Sequence, residues 1–318
     1  MAASQFKALH EFLDRQVLGQ PEFTRNLLLA VLADGHLLVE GPPGLAKTRA
    51  VQALAKGIEG DFHRVQFTPD LLPADLTGTD IYRPENGTFE FQQGPLFHNL
   101  ILADEINRAP AKVQSALLEA MAERQITVGQ RSYPLPPLFM VLATQNPLEQ
   151  EGTYPLPEAQ LDRFLMHLRL DYPDAETEQQ ILRLNRGEVI EGEEAMPTPL
   201  TQQQLFDARQ QVMQIYLDEA VEHYLVQLII ATRQPANYDA ELASWIAYGA
   251  SPRATISLER CARASAWLDG RDFVTPDDIN SVLHNCLRHR IIISYQAEAD
   301  GITQDQVIDK IVSLVPAP

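Results

Sequence analysis

The stretch Gly41-Pro42-Pro43-Gly44-Leu45-Ala46-Lys47-Thr48 decides the fold of this chain. It follows a short apolar run, 36–40, that predicts a buried strand, and it precedes residues 49–56, whose pattern predicts a helix. A strand, a glycine-containing loop, Lys-Thr and a helix in that order are typical of the phosphate-binding loop of nucleotide hydrolases. Backbone N–H groups of such a loop, together with the helix N-terminus, surround anionic phosphates.

The polar residues of this loop have predicted roles. Lys47 is expected to reach the β- and γ-phosphates of ATP, and the Thr48 hydroxyl is expected to ligate Mg²⁺. We assign the whole loop and the next residue, Arg49, to ATP binding. Ala46 is unusual, because the residue before the lysine is normally glycine and the backbone there passes close to the phosphates. A Gly/Pro turn that binds nothing is the alternative interpretation.

Bulk composition narrows the class of protein. The chain has 318 residues, 45% of them hydrophobic, which predicts about two globular domains. A net charge of −18 makes binding to nucleic acid or anionic membranes a poor expectation. We see neither a signal peptide nor an apolar run that could span a bilayer, and we expect a cytoplasmic location. Cys261 and Cys286 make no disulfide framework, and no Cys/His set has zinc-ligand spacing.

A second apolar segment, 100–103, is followed by Asp104 and Glu105. Its unbroken apolar run suits a strand buried on both faces of a parallel sheet, where active sites lie at the carboxyl ends of strands. We therefore predict that Asp104 holds Mg²⁺ and that Glu105 polarises the water that attacks ATP. Taken alone, the pattern would favour a strand that ends in solvated acids; the phosphate loop upstream reverses that preference.

Other segments are candidates for function. Val17, Leu18 and Gly19 lie between two predicted helices, and their backbone could pack on an adenine ring, although a plain helix–helix turn is equally consistent. Asn146 follows an apolar strand at 138–144 and could hydrogen-bond the γ-phosphate or the attacking water, although Asn-Pro is also a turn former. A hairpin around Tyr82–Phe91, with its turn at 85–88, follows a Pro-containing loop at 68–79, and a second hairpin is predicted over 125–135.

An acidic segment that contains proline and glycine marks the predicted domain boundary. We place an α/β nucleotide-binding domain at 1–187, a linker at 188–199 and a helical domain at 200–318. The last helix of the first domain is predicted over 175–186, and the pattern beyond the linker is helical throughout.

Taken in order, these motifs resemble the MoxR family of AAA+ ATPases. The resemblance covers most of the chain, from about Val17 to Arg290, and the combination of motifs is specific. Besides the phosphate loop with its alanine before the lysine, the matching segments are 65–73 with Asp75 and Gly78, 103–109 (Ala-Asp-Glu-Ile-Asn-Arg-Ala), 143–147 (Ala-Thr-Gln-Asn-Pro), 158–164 (Glu-Ala-Gln-Leu-Asp-Arg-Phe) and 249–253 (Gly-Ala-Ser-Pro-Arg).

The resemblance implies a fold and further site residues. The fold is an α/β AAA+ P-loop core, with a parallel sheet flanked by helices, followed by an all-α lid. Asn146 would be the sensor-1 residue, Arg163 an arginine finger that reaches the neighbouring subunit's nucleotide, and Arg253 a sensor-2 arginine that contacts the γ-phosphate in its own subunit. The segment 69–78 with its hairpin would be the helix-2 insert, and 125–135 the pre-sensor-1 hairpin. Without the resemblance, surface ion pairs would be the better interpretation of both arginines.

The resemblance also implies a function. ATP with Mg²⁺ would bind between the α/β domain and the lid, at the subunit interfaces of a ring, most often a hexamer. Glu105 would orient water, while Lys47, Arg163 and Arg253 offset the developing charge. Hydrolysis would drive chaperone-like remodelling, often with a partner that carries a von Willebrand factor A domain. A magnesium-chelatase motor subunit and an ATP-dependent scaffold with little hydrolysis are the alternatives, the second being disfavoured by Glu105 and Arg163.

Overall fold

A computed structural model describes residues 2–85, 87–147, 152–192, 196 and 198–318. Five strands form its central sheet: β1 (Leu37–Glu40), β2 (Phe62–Gln66), β5 (Leu100–Asp104), β8 (Met140–Gln145) and β9 (Met166–Arg169). They are parallel and ordered β2-β5-β8-β1-β9. β5 and β8 are buried up to their last residues, which explains why neither alternates between apolar and polar residues. All five strands confirm the parallel sheet predicted from the sequence.

Helices cover both faces of the sheet. Those of the N-terminal part are α1 (Ala2–Gln16), α2 (Pro21–Leu32), α3 (Lys47–Gly57), α4 (Pro73–Thr77), α5 (Ala111–Glu123), α6 (Glu158–Leu161) and α7 (Ala175–Glu191), with two 3-10 turns at Pro95–Phe97 and Ile106–Arg108. Successive strand residues face opposite layers, so that Leu37 and Val39 pack with α1, α2 and α3, whereas Leu38 packs with α5. The two layers leave the strand ends accessible.

Both predicted hairpins are confirmed. β3 (Gly78–Arg83) pairs antiparallel with β4 (Thr88–Gln93), and β6 (Gln125–Val128) pairs with β7 (Arg131–Pro134). Asn86, in the predicted turn of the first hairpin, lies outside the described residues. The two hairpins touch each other, because Phe91 stacks on Tyr133 with ring centroids 4.0 Å apart.

The C-terminal part is helical, as predicted, with one addition. Its helices are α8 (Gln202–Gln214), α9 (Glu219–Arg233), α10 (Ala240–Trp245), α11 (Pro252–Leu268), α12 (Pro276–Leu287), α13 (Tyr295–Ala299) and α14 (Gln304–Leu314), with a 3-10 turn at Pro235–Asn237. The addition is a two-stranded antiparallel ribbon of β10 (Ile246–Tyr248) and β11 (Ile292–Ile293), which is too short to show a strand pattern in the sequence.

The predicted linker is partly helical. The last helix of the N-terminal part was expected to end at 186, yet α7 continues to Glu191. Its extension is tied down, because Glu188 pairs with Arg49 of α3. The C-terminal helices share one apolar core with α1, α2 and α3, and Phe6 meets Trp267 edge to face at 5.2 Å. The division at 188–199 therefore stays a prediction. No helix in the described part of the chain is long and apolar enough to cross a membrane.

Candidate active site

The phosphate loop leaves the carboxyl edge of β1 and enters α3 at Lys47. Gly41 N–H still donates to the Gln145 carbonyl of β8 (3.3 Å), which fixes where the loop begins. Ala46 has φ 54° and ψ 21°, the left-handed conformation that glycine adopts without strain. This explains the usual glycine before the lysine more directly than close approach to a phosphate does, and it makes Ala46 a strained residue at the start of the helix.

A cavity of about 450 Å³ lies over this loop. Its walls bring together residues that are far apart in the sequence, since the loop, the end of β5 and the end of β8 meet at one edge of the sheet. The predicted residues that line it are Gly41, Pro43, Gly44, Leu45, Ala46, Lys47, Thr48, Arg49, Asp104, Glu105 and Asn146. Pro42 is a buried residue of the loop and does not line the cavity. Asn146 is itself buried, at 8% exposure, beside the end of β8.

Lys47 folds back across the loop. Its Nζ donates a hydrogen bond of 2.7 Å to the Gly41 carbonyl. Partial burial lowers the pKa of Lys47, and the negative charges of Asp104, Glu105 and Glu40 oppose that change. The lysine is thus a cation held over the loop in the field of three carboxylates.

Asp104 lies between a hydroxyl and a guanidinium. Thr144 Oγ1 donates to Asp104 Oδ1 at 2.6 Å, and Arg64 donates to Oδ2 through Nη2 (2.5 Å) and Nε (3.1 Å). The Thr48 hydroxyl lines the same cavity. A carboxylate and a hydroxyl next to a phosphate loop are oxygen donors of the kind that Mg²⁺ binds beside nucleotide phosphates, so the residues present fit this metal.

Glu105 is positioned by its backbone and by two side chains. Its φ is 56°, a left-handed conformation, and its N–H donates to Thr144 Oγ1 at 2.9 Å. Gln66 Nε2 donates to Glu105 Oε2 at 2.9 Å, and Arg108 Nε lies 3.1 Å from the same oxygen. A non-glycine residue in this conformation is uncommon and is found most often at functional positions.

Sequence reasoning missed Arg64, Gln66 and Thr144 as wall residues. Arg64 and Gln66 lie two positions apart on β2, so their side chains share a face of the sheet. β2 pairs with β5 in a register that sets Gln66 opposite Asp104. The polar alternation in Arg64-Val65-Gln66 was the available signal, but it points to the site only once β2 is known to neighbour β5.

A second cavity, of about 360 Å³, adjoins the first and shares residues 43–46 of the phosphate loop and Arg49 with it. One wall is the connection between α1 and α2, and the opposite wall is α7. Its remaining lining residues are Gln16, Leu18, Gln20, Tyr172, Pro173, Glu178, Ile181, Leu184 and Asn185. The aliphatic side chains on both walls suit the flat apolar faces of a nucleobase.

Of the three residues predicted beside adenine, only Leu18 lines this cavity. Val17 is buried, at 1% exposure. Gly19 has φ 76°, and a Cβ built on it would lie 2.3 Å from Cγ2 of Thr177. Glycine is therefore required at position 19 for close packing against α7, and its expected contact with adenine is not supported. The α7 wall was missed because the sequence predicted only a helix over 175–186, with no motif that points to a nucleotide.

Arg49 joins the two walls. Its Nη1 donates to Glu188 Oε2 (2.8 Å) on α7, and its Nη2 donates to Gln16 Oε1 (2.8 Å) at the end of α1. This hydrogen bonding holds the pKa of Glu188 below its usual value. The residue predicted to touch ATP thus also sets the spacing of the cavity.

Arg163 and Arg253 lie elsewhere, together in the lining of a third cavity of about 400 Å³. Leu165 N–H donates to the His36 carbonyl at 2.8 Å, which places the Arg163 segment at the amino edge of the sheet. The phosphate loop lies at the carboxyl edge. At about 3.3 Å per strand residue, the path from His36 to Gly41 spans roughly 16 Å. This distance is more than an arginine side chain extends.

The expectation that Arg253 contacts the γ-phosphate of its own subunit is therefore not supported. The C-terminal helices pack so that the start of α11 faces Arg163 and not the phosphate loop. For the same reason, the expected nucleotide site between core and lid is not supported. Arg163 Nη1 donates to the Leu118 carbonyl at 2.5 Å. Arg124 and Arg260 add positive charge to this arginine face, which we define by Arg163, Arg253, Arg124 and Arg260.

Within the described residues, no group of three or more His, Cys, Asp or Glu side chains has the arrangement of a metal site. Both cysteines are buried and unpaired by disulfide. A metal at the candidate active site would therefore depend on Asp104 and Thr48 together with phosphate oxygens.

Comparison with known families assigns both parts of the chain. The model of the ATPase family associated with various cellular activities (AAA) matches residues 36–166, and the model of the AAA lid domain matches residues 241–311. The first match contains the phosphate loop and the acids of β5, and the second contains Arg253.

Individual relatives match over nearly the whole chain. The chaperone MoxR1 of Mycobacterium tuberculosis is 43% identical over 96% of this chain and 80% of its own. Protein MoxR of Methylorubrum extorquens is 33% identical, over 96% of this chain and 92% of its own. The crystal structure of a candidate ATPase from Cytophaga hutchinsonii has a TM-score of 0.92 and 47% identity, and the match covers 100% of this chain and 96% of that one.

Proposed function

Because the chain belongs to the MoxR family of AAA+ ATPases, we propose that it hydrolyses ATP at sites built between neighbouring copies of itself in a ring. One observation carries this proposal: the phosphate loop and the arginine face lie at opposite edges of one sheet. One chain cannot close its arginines over its own nucleotide. A second copy, set head to tail, can supply them.

ATP would occupy the two adjoining cavities. The base would lie between Leu18 and Leu184, and the triphosphate would follow the loop toward Lys47. Asp104 and Thr48 would hold Mg²⁺, which supplies positive charge to the β- and γ-phosphates. One subunit would thus supply all the groups that bind the nucleotide, without help from another subunit.

Glu105 would act as the base that orients the attacking water. Gln66 and Arg108 hold its carboxylate, and Asn146 lines the same wall. The charge that develops on the γ-phosphate would be offset by Lys47 of the same subunit and by Arg163 and Arg253 of the next one. In related phosphoryl-transfer enzymes an arginine supplied in this way is worth about 10³–10⁵ in rate.

A contact between two different faces of identical subunits is heterologous, and it closes into a ring when the rotation between subunits is a simple fraction of a turn. We infer a ring, with a hexamer as the most common solution in this class. The arginine face and the acidic side chains of α7, such as Glu178, carry opposite charges, which supports their juxtaposition.

We further propose that the ring remodels other proteins in the cytoplasm. One relative is named a chaperone, and both hairpins project aromatic or polar side chains from the core; Tyr82 and Phe89 are 52% and 68% exposed. A partner with a von Willebrand factor A domain would select the client. Family membership over the full chain favours this proposal over a magnesium-chelatase subunit.

The test is ATPase rate against protein concentration, with mass photometry on the same samples. For the unaltered chain, specific activity should rise as rings appear. Arg163→Ala should bind ATP normally and stay inactive at every concentration, whereas Arg15→Ala, on the exposed side of α1, should behave as the unaltered chain does. A specific activity that is independent of assembly would contradict sites built between subunits. A low, flat rate from fully assembled rings would instead support a scaffold.

A further inference from the structure

Asp162 joins the segment that carries Arg163 to the helix that carries Arg253. One carboxylate oxygen, Oδ2, accepts a hydrogen bond of 2.8 Å from Ser251 Oγ. Ser251 is the N-cap of α11, and its Oγ in turn accepts from the Arg253 N–H at 3.1 Å. The Asp162 carboxylate and the Ser251 hydroxyl therefore link the backbones at Arg163 and Arg253, the two arginines that the proposed mechanism requires to act together.

The other carboxylate oxygen, Oδ1, accepts from Arg290 Nε at 2.8 Å. The Arg290 side chain is only 2% exposed, and a buried guanidinium is tolerated only where its donors are paired. Its further acceptors are the carbonyls of Asp162 (3.2 Å), Phe164 (2.6 Å), Leu165 (3.1 Å) and Cys286 (2.5 Å) and the hydroxyl of Ser257 (3.1 Å). Arg290 thus holds the Arg163 segment against α11 and α12.

The part of this network around Arg290 is buried and paired, and it is rigid because each member is fixed by more than one partner. Arg163 and Arg253 are themselves partly exposed and belong to the arginine face. The rigid backbone that carries the two side chains determines where their guanidinium groups can meet a phosphate. Misplacement of a catalytic group by about 1 Å can cost about 10²-fold in rate.

We propose that Asp162 is a positioning residue that makes Arg163 and Arg253 one rigid unit, which the γ-phosphate of the neighbouring subunit meets as a pair. The inference rests on the proposed function. It assigns to Asp162 an effect on the neighbour's site and none on the phosphate loop of its own chain, which lies at the other edge of the sheet.

The experiment mixes variants and measures turnover. Asp162→Asn keeps the size of the side chain and removes the negative charge to which Arg290 and Ser251 both donate hydrogen bonds. Alone, it should lower kcat about 10- to 100-fold with ATP affinity unchanged. Glu105→Gln should be inactive at its own site but should retain intact arginines. Mixed in equal amounts, the two should show more turnover than either alone, because Asp162→Asn sites would receive arginines from Glu105→Gln neighbours.

A purely structural role for Asp162 would damage its own site and give no gain on mixing, and this outcome would overturn the inference. Arg163→Ala mixed with Glu105→Gln is the positive control. If that mixture gains turnover and the Asp162→Asn mixture does not, only the inference fails. If neither gains, sites built between subunits fail, and the inference fails with them.

Asp269→Asn is the matched control. Asp269 accepts two hydrogen bonds from Arg25, at 2.9 and 3.0 Å, and thus also ties a C-terminal helix to the N-terminal part, away from the arginine face. The turnover of Asp269→Asn should match that of the unaltered chain. If Asp162→Asn does not fold, as judged by circular dichroism and ATP-analogue binding, Ser251→Ala replaces it with the same outcomes. Ser251→Thr, which retains the capping hydroxyl, should restore turnover.

Discussion

Gln66 and Glu105 are joined by a hydrogen bond of 2.9 Å between the side-chain amide of one and the carboxylate of the other. The two residues end neighbouring parallel strands or follow them directly, so their closeness is a consequence of strand order. The bond holds the carboxylate against the wall of the cavity that also contains the phosphate loop. A substitution of Glu105 that preserves this bond therefore tests the catalytic role of the carboxylate without changing the structure around it.

Glu105→Gln is such a change. The amide keeps the shape of the side chain and one oxygen that can accept from Gln66, but it removes the base, so ATP binding and assembly should persist while kcat falls by about 10²–10⁴. Binding of a fluorescent ATP analogue, mass photometry and steady-state turnover measure the three properties. Glu119→Gln, on the exposed side of α5, is the control. Unchanged turnover in Glu105→Gln would remove Glu105 from the mechanism.

The cavity between the α1–α2 connection and α7 predicts a second effect. Leu184→Asp places a charge in its apolar wall and should raise the dissociation constant of ATP by at least about tenfold, because an unpaired carboxylate must be desolvated against the base. At saturating ATP, kcat should change little. Leu182→Asp is the matched control, since Leu182 lies on the same helix, is 56% exposed and does not line the cavity. Equal losses in both variants would place the base elsewhere.

Ala46 predicts a third effect, because it adopts φ 54°. Valine is strongly disfavoured in this conformation, so Ala46→Val should lower the free energy of unfolding by about 1–3 kcal/mol and weaken ATP binding. Ala46→Gly should keep ATP binding, since glycine adopts the conformation without strain. Urea unfolding and ATP-analogue titration test both. Tight ATP binding by the valine variant would show that the left-handed conformation is not needed.

His36 predicts a dependence of stability on pH. Its Nδ1 accepts a hydrogen bond of 3.0 Å from the Val141 N–H, and burial, followed by the charge of Arg124, lowers its pKa to about 4. The unfolded chain therefore binds this proton more readily than the folded one. The stabilising contribution is present above pH 6.5 and is lost as the pH falls toward 4. Between pH 7.5 and 5, His36 should account for about 2 kcal/mol of lost stability.

The measurement is urea unfolding at both pH values. His36→Asn keeps an acceptor near the position of Nδ1 and cannot gain the proton, so it should be less stable at pH 7.5 but should lose about 2 kcal/mol less on acidification. Part of the loss should remain, because burial also lowers the pKa of His289. His223→Asn, at an exposed position, should keep the full dependence. If the stability of His36→Asn depends on pH as strongly as that of the unaltered chain, His36 does not change its protonation on unfolding.

The sheet and half of the site could be predicted because local pattern determines them. Unbroken apolar runs predict buried strands, and acids or amides directly after such strands must gather at one edge of a parallel sheet. Asp104, Glu105 and Asn146 follow this rule and line one cavity with the phosphate loop. The left-handed conformation of Ala46 could not be predicted, because amino-acid composition does not determine a φ angle.

The rest depends on long-range packing. Gln66 belongs to the site only because β2 neighbours β5, and Leu184 only because α7 packs across the loop. Arg253 is a clearer example of a residue whose role depends on long-range packing. Its motif was recognised, but the side of the sheet on which the C-terminal helices pack decides which nucleotide it can approach, and that packing rests on an apolar core spread over the whole chain.

The separation of the phosphate loop from the arginine face has a consequence for how such chains evolve. If the two faces meet only between subunits, a substitution beside Leu184 is compensated by a change near Arg163 on another copy, although both are encoded by one gene. Positions on the two faces should therefore vary together among relatives. A contact map inferred from such covariation would contain pairs that line separate cavities in the single chain and do not touch there. Those pairs would describe the assembly and not the fold.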